Sequence, residues 1–177
     1  MTVLSVGECR LRWESASPEE TERAGTLLGA RLSPGDVIAL SGELGSGKTV
    51  FVRGIAAGLG CSAADVHSPT FTLVNEYPMR GMPGRPGPAL AHIDLYRIGS
   101  AADVPGIGWD EYMRPRYVVA VEWAERADRW LPRDRVGVSL AVEDGGRRGL
   151  VLDATGPRSS RILQEWAAAV GAGVELA

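Results

Sequence analysis

The chain has 177 residues, of which 45% are hydrophobic and 23% charged, which suits one soluble domain with a sizeable core. A net charge of −3 excludes a global basic field that would draw the chain to nucleic acid or anionic membrane, so any role on RNA needs a local patch or a partner. No apolar run approaches the ~18 residues of a membrane span, the opening MTVLSVGECRLRWES carries charges where a secretion signal is apolar, and Cys9 and Cys61 lack metal-ligand spacing. The expected compartment is therefore the cytoplasm, with two reduced, buried thiols. Of the 19 basic residues only Lys48 is a lysine. A sequence that uses arginine elsewhere needs a compact ammonium at that one place.

In chain order, residues 8–14 alternate, with Cys9, Leu11 and Trp13 on one face, and predict a strand. Ser17-Pro18-Glu19-Glu20 has the spacing of a capping box and predicts a helix over 18–32, with Ala24, Leu27, Leu28 and Leu32 turned inward. Asp36–Leu40 reads as a buried strand. It runs into a glycine-rich turn and then a helix starting near Lys48 and ending at Gly60, with Phe51, Val52, Ile55, Ala56 and Leu59 inward. Thr70–Tyr77 predicts a strand, residues 79–88 a mobile Pro/Gly loop, and Ala89–Tyr96 another strand. Residues 100–115 are irregular with a helical turn or two. Tyr117–Glu122 is a buried strand, 124–130 a helical turn, 136–143 and 148–153 a hairpin around Gly145-Gly146, and 158–170 the last helix. This order predicts an α/β fold: a P-loop NTPase-like, mostly parallel sheet flanked by helices, with an antiparallel hairpin near the C-terminus, in one domain over 1–177 whose terminal helix and tail occupy 156–177.

Gly42-Glu43-Leu44-Gly45-Ser46-Gly47-Lys48-Thr49 matches G-x-x-x-x-G-K-[ST] at every fixed position. The glycines let backbone N–H groups turn inward on phosphate oxygens, and the helix N-terminus adds its dipole. Gly42, Leu44, Gly45, Ser46, Gly47, Lys48 and Thr49 are thus the expected ATP contacts, Lys48 reaching the β- and γ-phosphates and Thr49 ligating Mg2+. Two strands end in carboxylates that could complete the site. Val118–Val121 precede Glu122 in the Walker B manner, and Leu90–Ile93 precede Asp94, with His92 and Asp94 on one strand face. Thr70, in Ser68-Pro69-Thr70, lies where P-loop proteins carry a threonine that senses the γ-phosphate.

SGELGSGKT, SPTFTLVNEY, HIDLYR and VEWAE in this order resemble the TsaE family, over roughly residues 17–143. The family is the bacterial ATPase of tRNA threonylcarbamoyladenosine biosynthesis. The resemblance implies that Thr49 and Glu122 ligate magnesium, that Thr70 is switch-like, that Asp94 supports hydrolysis alongside Lys48, that Trp123 sits near the nucleotide, and that the helix start at Ser17–Thr21 approaches the adenine. It also implies a partner, the TsaB–TsaD complex that acts on adenosine 37 of tRNA, with tRNA reached only through that complex and no membrane involved. Glu43, Ser46 and Ala124 depart from the usual family residues without touching phosphate or metal chemistry. Two other readings stay open: a small-molecule or nucleoside kinase, and a nucleotide-dependent binding module without turnover. The kinase lacks a lid pattern in Arg80, Arg85, Arg114 and Arg116. No N-K-x-D guanine-specificity motif occurs, because Lys48 is the only lysine, and this argues against a conventional GTPase, while no motif that reads adenine is identified.

Overall fold

A computed structural model of the chain describes residues 9–78, 89–171 and 174–176. In chain order the elements are β1 (Cys9–Ser15), α1 (Pro18–Gly29), β2 (Val37–Ser41), α2 (Lys48–Gly58), β3 (Val74–Pro78), β4 (Ala89–Asp94), α3 (Trp109–Tyr112), β5 (Tyr117–Glu122), β6 (Val136–Val142), β7 (Arg148–Ala154), α4 (Pro157–Val170) and β8 (Glu175–Leu176). Short 3₁₀ segments occupy Ala63–Asp65, Ala101–Ile107, Ala124–Trp130 and Asp144–Gly146. The loop expected at 79–88 lies outside the described residues.

The strands form one sheet in the order β3-β4-β5-β2-β6-β7-β1-β8. Its centre, β4-β5-β2-β6, is parallel. The flanking pairs β3–β4, β6–β7, β7–β1 and β1–β8 are antiparallel. The sheet is therefore mixed rather than mostly parallel. The hairpin is present, but β1 returns to pair with β7 and β8 extends it, so that half of the sheet is antiparallel throughout. Alternation along β2 splits the core between two faces. Ile38 and Leu40 pack with Leu28 of α1, Phe51 and Ile55 of α2, and Leu163 and Trp166 of α4. Val37 and Ala39 pack with Ile93, Val119 and Val121 beneath Val104, Trp109 and Ala127.

The α1 start follows the sequence signal with one change. Ser17 Oγ accepts the Glu20 N–H at 3.2 Å, but the Glu20 carboxylate takes the N–H of Ala16, one residue before the cap, at 2.7 Å. The α-helix stops at Gly29 rather than at 32, because Arg31 and Leu32 bond back to Leu28 and Gly29, a tighter turn. α1 and α2 meet backbone to backbone. A Cβ on Gly25, Gly29, Gly54 or Gly58 would collide with Phe51 O, Ile55 O, Glu22 O or Thr26 O respectively. At the other end, α4 is capped through space: the Asp134 carboxylate accepts the N–H of Arg158 (2.8 Å) and of Ser159 (2.9 Å), since its own cap residue, Gly156, has no side chain.

Thr70–Tyr77 does not form one strand. β3 begins only at Val74, and residues 70–73 turn, with Leu73 at φ 67 and its N–H on Pro69 O at 2.6 Å. The cause is the polar side chains just before β3, which bond across to β4 instead of extending.

Candidate functional site

The parallel strands bring their C-terminal ends to one edge, where Leu40 of β2 and Asp94 of β4 both pair with Glu122 of β5. In such sheets ligand crevices lie at that edge. From β2 the chain passes through Ser41 into the glycine loop and then into α2, whose first-turn N–H groups have no intrahelical partner. Gly42 has φ 137, and a Cβ there would strike Leu140 O; Gly47, at φ 106, precedes α2. Only glycine satisfies both demands at position 42.

A cleft of about 410 Å³ opens beside this loop, lined by Leu44, Gly45, Gly47, Lys48, Thr49, Val50, Ser68, Thr70, Asp94, Tyr96, Glu122 and Trp123. Most of the residues singled out from sequence thus converge. The Thr49 hydroxyl donates to Glu122 Oε1 at 2.8 Å, and His92 Nε2 reaches the same oxygen at 2.8 Å. Since a carboxylate accepts, Nε2–H is the donor, and His92 Nδ1, fully buried, has no hydrogen-bond partner among the described residues. Asp94 does a different job. Its Oδ2 accepts from Ser68 Oγ (2.9 Å) and Thr70 Oγ1 (2.7 Å), and its Oδ1 accepts the Tyr96 N–H (2.8 Å). Glu122 is thereby tied to α2, and Asp94 to the turn before β3.

Lys48 Nζ donates to Gly42 O (2.7 Å) and Glu43 O (2.9 Å) and lies 4.3 Å from the centre of the Trp123 ring. Burial holds its ammonium below the ordinary lysine range, while the carboxylates of Glu122, Asp94 and Glu125 pull it partly back. Ser46 is buried, its hydroxyl has no partner among the described residues, and its N–H turns back to Glu43 O.

Ser17 is not in this cleft; its hydroxyl is occupied by the helix cap. Its neighbours Pro18 and Thr21, with Gly45, Gly47, Val50, Gly146 and Arg148, line an adjoining hollow of about 120 Å³. Arg148 and Val50 carried no sequence signal, because only the β6–β7 hairpin and the α1–α2 contact bring them together. Ser68 and Tyr96 stood inside motifs whose other residues drew the attention. A hollow of about 500 Å³ lies toward the β1–β8 edge of the sheet around Trp13 and Leu27, and none of the residues lining the cleft lines it.

Fold and site together define an α/β protein in which a strand, a glycine loop and a helix meet a buried carboxylate on the neighbouring parallel strand. Residues 15–149 match the family described as threonylcarbamoyl adenosine biosynthesis protein TsaE. The chain is 36% identical over 156 residues to the tRNA threonylcarbamoyladenosine biosynthesis protein TsaE of Bacillus subtilis, covering 88% of this chain and 93% of that one. It is 39% identical over 142 residues to the protein of the same description from Treponema pallidum, covering 80% and 99%. A crystal structure of Bacillus subtilis YdiB superposes with a TM-score of 0.73 at 32% identity, over 92% of this chain and 97% of that one. The chain belongs to the TsaE family. Among the described residues no helix is long and apolar enough to cross a membrane.

Proposed function

We propose that the chain is a single P-loop NTPase-like domain that binds Mg-ATP, hydrolyses it slowly alone, and serves the formation of threonylcarbamoyladenosine at position 37 of tRNA by acting on the TsaB–TsaD complex in the cytoplasm. The observation that carries the nucleotide reading is the Thr49–Glu122 contact at the mouth of the glycine loop. A hydroxyl and a carboxylate are hard oxygen donors and suit magnesium. Among the described residues no three His, Cys, Asp or Glu side chains converge as a metal cage. Thr49 and Glu122 would therefore hold a cation that brings its remaining ligands with it, from phosphate and water. When bound, magnesium supplies charge neutralisation on the phosphates.

The chain's own groups divide the remaining work. The loop N–H groups of Gly42–Gly47, other than that of Ser46, which is bonded to Glu43 O, and the α2 N-terminus cradle the phosphates. Lys48, already held above the loop by two carbonyls, offers its ammonium to the β- and γ-phosphates. Asp94 holds the Ser68–Thr70 turn against the cleft, so that Thr70 can respond to the γ-phosphate and Asp94 can orient the attacking water. The hollow between Pro18, Thr21, Val50 and Arg148 receives the base end. That assignment gives the α1 start a role without asking it of Ser17.

Of the four arginines weighed for a kinase lid, Arg80 and Arg85 lie outside the described residues. Arg114 pairs with Glu111 at 2.8 Å and Arg116 lies over Tyr117, neither at the cleft. The test is ATP turnover by the chain alone and with purified TsaB and TsaD, beside a pull-down with and without ATP. Nucleotide-dependent capture with stimulated turnover is the expected result. Phosphorylation of a nucleoside or sugar in a metabolite screen would replace this reading with a kinase, and capture without turnover would replace it with a binding module.

A further inference from the structure

An ammonium has three N–H donors. On Lys48 two of them are met by Gly42 O and Glu43 O. The third faces the Trp123 ring, 4.3 Å from its centre. Glu122, Asp94 and Glu125 all act on this buried charge, yet among the described residues none of them closes an ion pair with it.

The indole reaches this place through an uncommon backbone. Trp123 sits at φ 58 and ψ 42, left-handed space that a bulky residue rarely enters. The turn directly after Glu122 thus sends the ring back over the first residue of α2. The ring is braced there by Tyr96, whose centre is 5.1 Å away at a 46° tilt, and by the Arg126 guanidinium at 5.7 Å. Arg126 is itself fixed by Ile98 O at 2.7 Å.

We propose that Trp123 is a positioning residue for Lys48: its ring holds the ammonium over the glycine loop and keeps it from collapsing onto Glu122 or Asp94. The inference rests on the nucleotide reading of the cleft and assigns the ring a task beyond proximity to nucleotide. A π face attracts a cation more weakly than a carboxylate does in a buried site. A lysine held by the ring and two neutral carbonyls, Gly42 O and Glu43 O, is released to phosphate at lower cost than one locked in a buried ion pair, which would first have to be freed. The site is preorganised in the sense that lowers the cost of binding.

The test uses the fact that Lys48 is the chain's single lysine. Protein labelled with ε-13C lysine gives one ε-methylene signal, and protons above an aromatic face are shielded. In ligand-free wild type the signal should lie upfield of free lysine. It should return to the ordinary position in Trp123→Leu and stay partly shifted in Trp123→Phe. Urea midpoints of both variants report whether each is folded, and the wild-type shift stands whether or not the leucine variant folds. ATP affinity by calorimetry in EDTA should fall about three- to tenfold in Trp123→Leu, within the range of a desolvated cation–π contact, and recover in Trp123→Phe. An ordinary lysine shift in wild type, or a folded Trp123→Leu that binds ATP as tightly as wild type, overturns the proposal. Wild-type protein that binds no ATP overturns the reading of the cleft itself, and this role with it.

Discussion

Replacing Glu122 by glutamine separates its charge from its hydrogen bonds. The residue is 3% exposed, and one of its oxygens accepts from both Thr49 and His92 at 2.8 Å. Glutamine keeps an oxygen for both donors. Each bond weakens by about 1 kcal/mol when its acceptor loses charge, and relief from burying a carboxylate offsets that loss. We predict a urea midpoint close to wild type, with stability changed by no more than about 1 kcal/mol. Metal affinity is another matter. Losing the charged partner in a buried contact costs about 2–3 kcal/mol, so the tightening of ATP binding by magnesium should fall about 30- to 150-fold. Binding in EDTA should barely move. Alanine at the same position does more damage to the fold. It strands the buried Nε2–H of His92, at about 1–3 kcal/mol for one buried orphan, while the Thr49 hydroxyl, which lines the open cleft, can turn to water. Calorimetric titration of ATP with magnesium and with EDTA, run beside urea melts of both variants, measures every term. If Glu122→Gln keeps the full magnesium-dependent tightening, Glu122 is not the metal's carboxylate and the assignment of the site is wrong.

Asp94→Ala frees the hydroxyls of Ser68 and Thr70, so single-turnover hydrolysis with the partner complex should slow about a hundredfold while ATP affinity changes little; the reverse pattern would exchange the roles of Asp94 and Glu122. Lys48→Ala should lose most ATP affinity, and unchanged calorimetric binding would remove the phosphate site. Gly42→Ala places a methyl against Leu140 O at φ 137; it should lower the thermal midpoint and abolish ATP binding, and an unaltered melt would show that the loop relaxes freely. Burial raises the Asp134 carboxyl, but the Ser159 hydroxyl and the N–H groups of Ser159 and Arg158 outweigh it and leave it below the usual range. A carboxyl depressed in the folded state contributes stability above its unfolded value of about 3.9 and loses it as pH falls further. Asp134→Asn should therefore be less stable than wild type at pH 7, with the gap closing below about pH 4 in a series of urea melts. A gap that does not narrow as the pH falls below about 4 would place the effect in shape rather than charge.

The residues that the sequence made legible are those whose chemistry is local. Gly42–Thr49 follows a strand and opens a helix within a dozen residues, so spacing alone located the loop and α2. Glu122 was legible because four apolar residues deliver it to a strand end, and it pairs in register with Leu40 and Asp94. The different duties of the two carboxylates were harder. Both end strands, and only the fold shows that Glu122 meets α2 while Asp94 meets the turn at Ser68–Thr70. Thr70 lay in a stretch with strand propensity, and the pull of Asp94 on its hydroxyl overrode that propensity. The mixed character of the sheet was hidden for a related reason. β1 pairs with β7, more than a hundred residues later, and no local pattern encodes such a partner. Arg148 beside the glycine loop follows from the same long-range closure.

The four glycines between α1 and α2 bear on a recess that they do not line. Side chains that separate two helices can change rotamer, so the gap between them can adjust. Here peptide groups touch directly, and there is nothing to rotate. Pro18 and Thr21 stand at the start of α1 and Val50 at the start of α2, so that hard contact sets the spacing of one wall of the hollow, while Gly146 and Arg148 supply another. A single methyl added at Gly54, against Glu22 O, would push α1 from α2 and shift that wall from a point outside the recess itself.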